Sequence, residues 1–374
     1  MSTRRERYAG VMSGTSLDGV DAVIADFAPG DGRVCATLGA AHLPFPPALH
    51  DELSALQSAG YDEIARAARA ANALADLYAA AIGEAIDDAD LAVRDVAAAG
   101  VHGQTIRHRP DEGWTVQLNN PARVAERTGL TIVADFRSRD VAAGGEGAPL
   151  VPAFHQALFG SDGRHRVVVN IGGIANVTDL AVAGAVRGFD TGPGNALLDL
   201  WHARHRGGAC DLEGAWARSG RVDEALLARL LAEPFFARSP PKSTGRDLFN
   251  AAWLDARLEG GAVAPRDVQA TLTALTARSI ADAIRRHAPR AIEVIVAGGG
   301  AHNATLVDML AREMAPRVLR SSTALGVDVE HVEALAFAWL ARRALEREPG
   351  NLASVTGARG PRVLGAIHWG SPRA

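Results

Sequence analysis

Two places in this chain share one pattern, an apolar run, a glycine-bearing turn and a second apolar run, and one copy stands near the start of each half. Residues 8–13 lead through Gly14, Thr15, Ser16, Leu17, Asp18 and Gly19 into residues 20–27, and residues 166–171 lead through Gly172 and Gly173 into residues 174–180. Small residues, hydroxyls and glycines in a turn between strands present N–H and O–H donors to phosphate oxygens with no bulky side chain in the way. A plain hairpin uses the same residues, and Asp-Gly, here Asp18-Gly19, is its strongest short-range signal. The pair of turns suggests a duplicated nucleotide-binding unit.

The second copy runs on through residues 186–190 into Gly188-Phe189-Asp190-Thr191-Gly192-Pro193-Gly194-Asn195, which opens a helix-like segment over 196–205. An acid at a strand end, followed by glycines and a proline, leaves a carboxylate in a cleft beside backbone N–H groups that an anion can approach. That setting suits Asp190 as a catalytic base. The same residues also suit an ordinary helix start, capped by Asp or Thr with Gly and Pro as turn residues. Farther on, the apolar run 292–297 passes through Gly298-Gly299-Gly300-Ala301-His302-Asn303 into a helix over 304–315. Three glycines between a strand and a helix allow close approach of a flat base or ribose.

In the first half, residues 96–101 read as a buried strand ending in His102-Gly103-Gln104-Thr105. Residues 115–118 end in Asn119-Asn120, and residues 131–134 end in Asp135-Phe136-Arg137 with Asp140 beyond. Polar residues at the ends of apolar strands line clefts in α/β folds. Three such tips describe a pocket suited to a hydroxyl-rich ligand such as a sugar, although His102 alone reads equally well as a core histidine. The Ala-rich stretch 61–88, with Ile64, Ala68, Ala71, Leu74, Leu77 and Ile82 at helical spacing, is expected to cover the sheet. A Gly-rich link at 141–149 and a helix over 150–159 precede Ser161-Asp162-Gly163, the expected boundary between domains 1–163 and 164–374. The final helix, 329–348, is free to pack back on the first domain, and Glu333 in its first turn suits either the dipole or the pocket. Pro240-Pro241-Lys242-Ser243-Thr244-Gly245-Arg246 is a polar loop that fits ligand contact, a hinge or a surface connector.

A chain of 374 residues exceeds what one core usually serves. Its net charge of −4 argues against a general nucleic-acid binder, so any polyphosphate has to be held locally by backbone donors, a few basic groups and a metal ion. Cys35 and Cys210 are the only cysteines, without metal-ligand spacing, which fits a reducing cytoplasm. No run approaches ~20 apolar residues, so no membrane span is expected. A Walker phosphate loop is absent, as are GxSxG and HExxH. His202 and His205 read as surface residues of a helix.

The segments SGTSLDGVD at 13–21, NIGGIANVT at 170–178, FDTGPGN at 189–195 and AGGGAHN at 297–303 come in an order that resembles the sugar-kinase, heat-shock-chaperone and actin superfamily. Within it, GVMSGTSLDGVD, HGQT, NNPA, ADFRSRD, NIGGIANVT, GFDTGPGN and KSTGRDLF look like the anhydro-N-acetylmuramic acid kinase family nearly end to end. The resemblance implies an α/β fold of two related ribonuclease-H-like domains, the actin-like ATPase fold, with an interdomain active-site cleft. It implies ATP and Mg²⁺, with ATP phosphates at Gly14, Thr15, Ser16, Leu17, Asp18, Gly19, Val20 and Asp21 and, on the second loop, at Gly172, Gly173, Gly192, Gly194 and Asn195. Adenosine would lie near Gly298, Gly299, Gly300 and Asn303. Asp190 would be the catalytic residue, and the sugar would meet His102, Gln104, Thr105, Asn119, Asp135, Arg137 and Glu333. Two departures from the wider superfamily concern the metal: Met12 and Ser13 stand where its first loop usually bears an Asp, and Asn170 stands where an Asp is common in the second.

The reaction so implied cleaves the internal 1,6-anhydro bridge of the sugar and phosphorylates the freed oxygen, giving N-acetylmuramic acid 6-phosphate and ADP in cell-wall recycling. The resemblance further implies a small-molecule substrate, a cytoplasmic location and a homodimer, with no nucleic acid or membrane partner. Two other readings stay open on the residues: an ordinary sugar kinase in which Asp190 deprotonates a substrate hydroxyl, and an actin- or chaperone-like ATPase.

Overall fold

The first apolar run forms β1 (Glu6–Met12), which turns back antiparallel as β2 (Gly19–Phe27), with Glu6 opposite Phe27 and Met12 opposite Asp21. β3 (Val34–Pro44) pairs antiparallel with β2. The chain then crosses over through the helix Glu63–Asp88 to β4 (Ala98–Val101), parallel to β1. A separate antiparallel hairpin, β5 (Gln104–Arg109) with β6 (Trp114–Leu118), precedes β7 (Ile132–Ala134), which joins parallel to β4. These elements come from a computed structural model that describes residues 6–14, 17–28, 34–160, 163–259, 261 and 263–371.

The second run of strands repeats the scheme. β8 (Arg166–Ile171), β9 (Ile174–Leu180) and β10 (Arg187–Pro193) form an antiparallel meander, and β11 (Glu293–Ala297) and β12 (Val318–Ser321) add in parallel beyond β8. The order β10-β9-β8-β11-β12 matches β3-β2-β1-β4-β7 strand for strand and sense for sense. Two α/β units of ribonuclease-H-like strand order therefore account for the two glycine turns noticed in the sequence. The chain ends with the helix Val332–Leu345 and β13 (Ala366–His368), which pairs with β7.

Unit 1 comprises Met1–Leu158 and His331–Ala374, and unit 2 comprises Phe159–Glu330. The expected second domain, 164–374, is thus corrected: the segment from His331 belongs to unit 1. The reason is steric and visible in the glycines. The helix Val332–Leu345 lies directly on β1 and β4, because a Cβ built on Gly10 would overlap the carbonyl oxygen of Ala334 and lie 2.6 Å from the nitrogen of Ala338. A Cβ on Gly100 would likewise overlap the Phe337 carbonyl oxygen.

On the other face of that sheet, the helix Glu63–Asp88 buries Ala70, Ala71, Leu74, Ala75, Tyr78, Ala81, Ile82, Ala85 and Ile86, a stripe at three- and four-residue spacing. Ile64, expected on this stripe, is 90% exposed, and the buried face starts only at Ala70. Strand β5 was not anticipated, since Gln104–Arg109 contains one aliphatic residue, Ile106, and offers no alternation to read. Among the described residues, no helix is long and apolar enough to cross a membrane.

His155, in the helix Val151–Phe159, is 1% exposed, and burial pushes its pKa down to about 3. The folded chain holds this ring neutral while the unfolded chain protonates it near the usual histidine value, so the unfolded state binds more protons below about pH 6.5. Stability is complete above that value and falls as pH drops toward 3, by on the order of 5 kcal/mol from this group. We expect the thermal midpoint to fall between about pH 7.5 and 5, and His155→Gln to flatten that dependence; an equally steep fall in the variant overturns the assignment.

Candidate functional site

In unit 1 the parallel strands β4 and β7 end beside the β5–β6 hairpin, and the polar tips named in the sequence gather there. Arg137 donates from Nε to His102 Nε2 at 3.1 Å and from a terminal nitrogen to the Gly147 carbonyl at 2.8 Å. Since Arg only donates, His102 Nε2 has to be unprotonated. Burial and then the Arg137 charge hold the His102 pKa well below its ordinary value, against the opposing backbone carbonyls of Ser13 and Gly103, so the ring is neutral. Burial lowers Arg137 itself to about 10, with the charges of Glu333 and Asp140 opposing. Glu333, from the first turn of the helix Val332–Leu345, therefore belongs to the same cluster electrostatically.

The cluster contains polar atoms that the protein leaves unpaired. Gln104 is fully buried; its Nε2 donates to the Gly14 carbonyl at 3.0 Å, but among the described residues its Oε1 accepts nothing. Both side-chain amide atoms of Asn119 are sealed from solvent without a partner among the described residues. Buried amides left this way cost about 1–3 kcal/mol each, so they mark ground prepared for a polar ligand. Thr105 Oγ1 is taken by Gln117 at 3.3 Å. Asp135 is exposed at the tip of β7 with φ of 57°, a conformation that a non-glycine residue holds at a cost, typically near functional sites. Asp140, missed as a support, is fully buried and accepts from Asn351 Nδ2 (2.6 Å), Thr356 Oγ1 (2.8 Å) and the Gly147 N–H (2.8 Å). It thereby fixes the Gly147 carbonyl that holds Arg137.

The first turn is described in part. Thr15 and Ser16 lie outside the described residues. Gly14 accepts from the Leu17 N–H at 3.3 Å, Leu17 has φ of 60°, and Asp18 Oδ1 accepts from the Gly19 N–H at 3.0 Å, forming a tight polar turn. Two expected phosphate contacts are sheet positions instead. The Val20 side chain is fully buried in the core beside β2's aliphatics, and Asp21 Oδ1 pairs with His42 Nδ1 at 2.7 Å. Ser13, standing where the superfamily carries an acid, is buried and bonded to the Tyr78 hydroxyl at 2.8 Å.

In unit 2, Asp190 sits at a bulge in β10: Asp190 pairs with Asn176 and Gly192 with Ala175, leaving Thr191 as the extra residue. Bulges of this kind re-aim a side chain. Gly192 makes the bulge feasible, with φ of 148° and an ideal Cβ only 2.5 Å from Phe236 Cε1. The polar loop folds onto Asp190. The Asp190 N–H donates to the Lys242 carbonyl at 3.1 Å, while Ser243 Oγ and the Thr244 N–H both donate to Oδ2 at 2.9 Å. Oδ1 accepts no hydrogen bond among the described residues. Burial raises the Asp190 pKa above the ordinary carboxylate value, opposed by those two hydrogen bonds and the Lys242 charge. The result is a carboxylate gripped by one oxygen, with the other open and more basic than usual.

The N–H groups expected to face an anion beside Asp190 are in use. Gly194 and Ala196 donate to the Gly173 carbonyl and Asn195 to that of Gly172, at 2.8–3.1 Å, which docks the helix Ala196–Arg206 onto the turn. The turn keeps an open outer face: a Cβ on Gly172 would meet only the Ile174 carbonyl oxygen, at 3.7 Å, and one on Gly173 would approach the Arg246 guanidinium at 3.7 Å. Arg246, at the end of the same loop, is a cation that spacing alone did not bring to this turn. Gly298 and Gly300 pack against Asn170 and Ile171, while beside Gly299 only Asn195 Nδ2 lies within reach, at 4.0 Å. Asn303 spends its Oδ1 capping the helix Ala304–Met314 on Leu306 N at 3.0 Å, a local role in place of the expected adenosine contact.

Asp199, one turn into the helix Ala196–Arg206, was also missed; burial raises it to about 6 against the charges of Arg246 and His202. His202 is half-buried, contrary to its surface reading, and with Cys210 and Trp216 lines an open pocket of roughly 900 Å³. Among the described residues, no three His, Cys, Asp or Glu side chains are grouped to hold a metal ion.

The family model described as anhydro-N-acetylmuramic acid kinase matches residues 6–370. The chain is 57% identical over 376 residues to the anhydro-N-acetylmuramic acid kinase of Cupriavidus pinatubonensis, covering 98% of this chain and all of that one. It is 55% identical over 380 residues to that of Ralstonia nicotianae, covering 98% of each. Among solved structures it is similar to the activator of the 2-hydroxyisocaproyl-CoA dehydratase from Clostridium difficile with bound ADPNP, at TM-score 0.45 and 13% identity over 89% of this chain and 93% of that one.

Proposed function

Because the chain belongs to the anhydro-N-acetylmuramic acid kinase family, we propose that it opens the 1,6-anhydro bridge of anhydro-N-acetylmuramic acid with water and phosphorylates the freed oxygen from ATP, a step of cell-wall recycling. The observation that carries this reading is the one-sided grip on Asp190, Oδ2 held by Ser243 and Thr244 and Oδ1 open. Water attacks the anomeric carbon and passes one proton to Oδ1. The bond from that carbon to the bridge oxygen breaks, the oxygen bonds to the γ-phosphorus, and ADP leaves. An Asp suffices as base because the water becomes acidic only as the anomeric centre gains cationic character, as in inverting glycosidases.

The sugar is assigned to the tips in unit 1. The unpaired amide of Asn119 and the unpaired Oε1 of Gln104 offer both a donor and acceptors to hydroxyl and acetamido groups. Arg137, Glu333 and Asp135 supply the charged neighbours. The phosphates are assigned to the turn at Gly14 and to the open face of Gly172-Gly173 with Arg246, and the adenosine to the glycines at 298–300. Mg²⁺ would come to the site with the ATP phosphates. Bound there, it would neutralise charge on the transferring group.

Turnover in ¹⁸O-labelled water is the test. The proposal expects one labelled oxygen at the anomeric carbon per ADP formed, with the bridged sugar accepted and its ring-opened counterpart not. Phosphorylation without label means an ordinary sugar kinase, and ATP hydrolysis that ignores the sugar means an ATPase of the chaperone or actin kind; either overturns it.

A further inference from the structure

The polar loop contains a buried cation that no carboxylate neutralises. Lys242 is 9% exposed, its ammonium donates to the carbonyls of Phe235 and Phe236 at 3.3 and 3.5 Å, and it stands 4.6 Å from the centre of the Phe235 ring. It forms no ion pair among the described residues. A lysine stripped of water in this way is costly, and an apolar side chain would anchor the loop without that cost. The main chain explains why a cation stands here: the Lys242 carbonyl accepts from the Asp190 N–H, and the next two residues hold Asp190 Oδ2.

We propose that Lys242 is a positioning residue for the reaction, its buried ammonium locking the loop that grips Asp190 and placing a positive charge on that loop. The inference rests on Asp190 being the base. Two functions meet in one side chain. The carbonyls of Phe235 and Phe236 belong to the short helix Pro234–Ala237, where they also accept from the Arg238 N–H at 3.2 Å and from an Arg286 terminal nitrogen at 3.1 Å, and the ammonium ties them to the loop. The ammonium charge also favours the ionised form of Asp190, opposing the effect of burial. The other charged groups facing Lys242 are Arg238 and Arg286, which repel it, while Asp282 is paired with Arg285 at 2.6 Å. The His287 pKa is lowered by burial and by the charges of Lys242, Arg187 and Arg286. Of these groups, the Asp190 carboxylate is therefore the one that sets the acid limb of activity.

The test separates anchoring from charge. Lys242→Gln keeps a hydrogen-bond donor for the two carbonyls and removes the charge; Lys242→Met removes both; Lys242→Arg restores the charge, for which the cavity of roughly 90 Å³ lined by Lys242, Phe236 and Arg286 leaves room. The pH profile of kcat/KM for the sugar is expected to move its acid limb upward in Gln and Met and to return toward wild type in Arg, since removing an opposite charge favours the protonated carboxyl. kcat should fall about tenfold or more in Met, since the loop that grips Asp190 loses its anchor. If Met does not fold, Gln and Arg carry the comparison. An acid limb that stays in place in Gln while the thermal midpoint is unchanged overturns the charge role, and unchanged kcat in Met overturns the whole inference. The reading of Asp190 fails separately, if Asp190→Asn turns over normally.

Discussion

Asp190→Asn is expected to lower kcat by on the order of 10²–10⁴, the usual worth of a general base, while ATP binding stays close to wild type. The substitution isolates basicity. Asn has the size of Asp, and its carbonyl oxygen can take the place of Oδ2, accepting from Ser243 Oγ and the Thr244 N–H as the carboxylate does at 2.9 Å. The loop therefore stays docked. What changes is the outer atom: where Oδ1 offered an unbonded lone pair, an NH₂ group now presents protons and cannot take one from water. The wild-type enzyme should also lose activity at a higher pH than an ordinary carboxylate dictates, since burial raises Asp190. Turnover within about threefold of wild type, in a folded variant, would falsify the assignment.

Gly10→Ala is expected to cost about 3 kcal/mol or more of stability, seen as an earlier urea midpoint, with Gly100→Ala close behind. The added methyl on Gly10 meets backbone, not a side chain that could swing aside: it overlaps the Ala334 carbonyl and lies 2.6 Å from the Ala338 nitrogen. Neither glycine has a left-handed φ, so the penalty is entirely one of space. Relief requires the helix Val332–Leu345 to rise from the sheet, and Leu335, Phe337 and Leu340, all at most 1% exposed, would lose their close packing with it. Gly83 is the control. It lies within the helix Glu63–Asp88 with nothing within 4 Å of a built Cβ, so Gly83→Ala should stabilise by about 0.5–1 kcal/mol through helix propensity alone. Should Gly10→Ala and Gly83→Ala shift the midpoint alike, the close approach is not what the glycine serves.

The parts of the fold that were legible are those with strong periodic signals. The two hairpins, the long Ala-rich helix and the strand-to-glycine step at residue 298 follow from apolar runs punctuated by Gly. What periodicity could not reveal is which sheet a late element joins: residues 332–345 form an apolar helix that would suit either domain, and only the missing side chains at Gly10 and Gly100 determine its seat. In the site, Asp190 was legible as the proposed base because an acid before Gly and Pro stands at a strand end. Its grip was not, because Ser243 and Thr244 lie more than fifty residues away in sequence and reach it across a loop with no pattern of its own. Motifs also carried along residues whose side chains have structural roles: Val20 is a core aliphatic, Asp21 pairs with His42, and Asn303 caps its own helix.

The split composition of unit 1 has a bearing on how the protein is made. A ribosome releases β1 and β4 before Phe159–Glu330, but their covering helix Val332–Leu345 emerges only after the whole of that segment. Unit 2, continuous along the chain, can close while synthesis is still under way, whereas the bare sheet around Gly10 and Gly100 has to wait with its apolar surface uncovered. A nascent chain stalled short of His331 would carry one finished unit and one that is open, sticky and a natural client for chaperones.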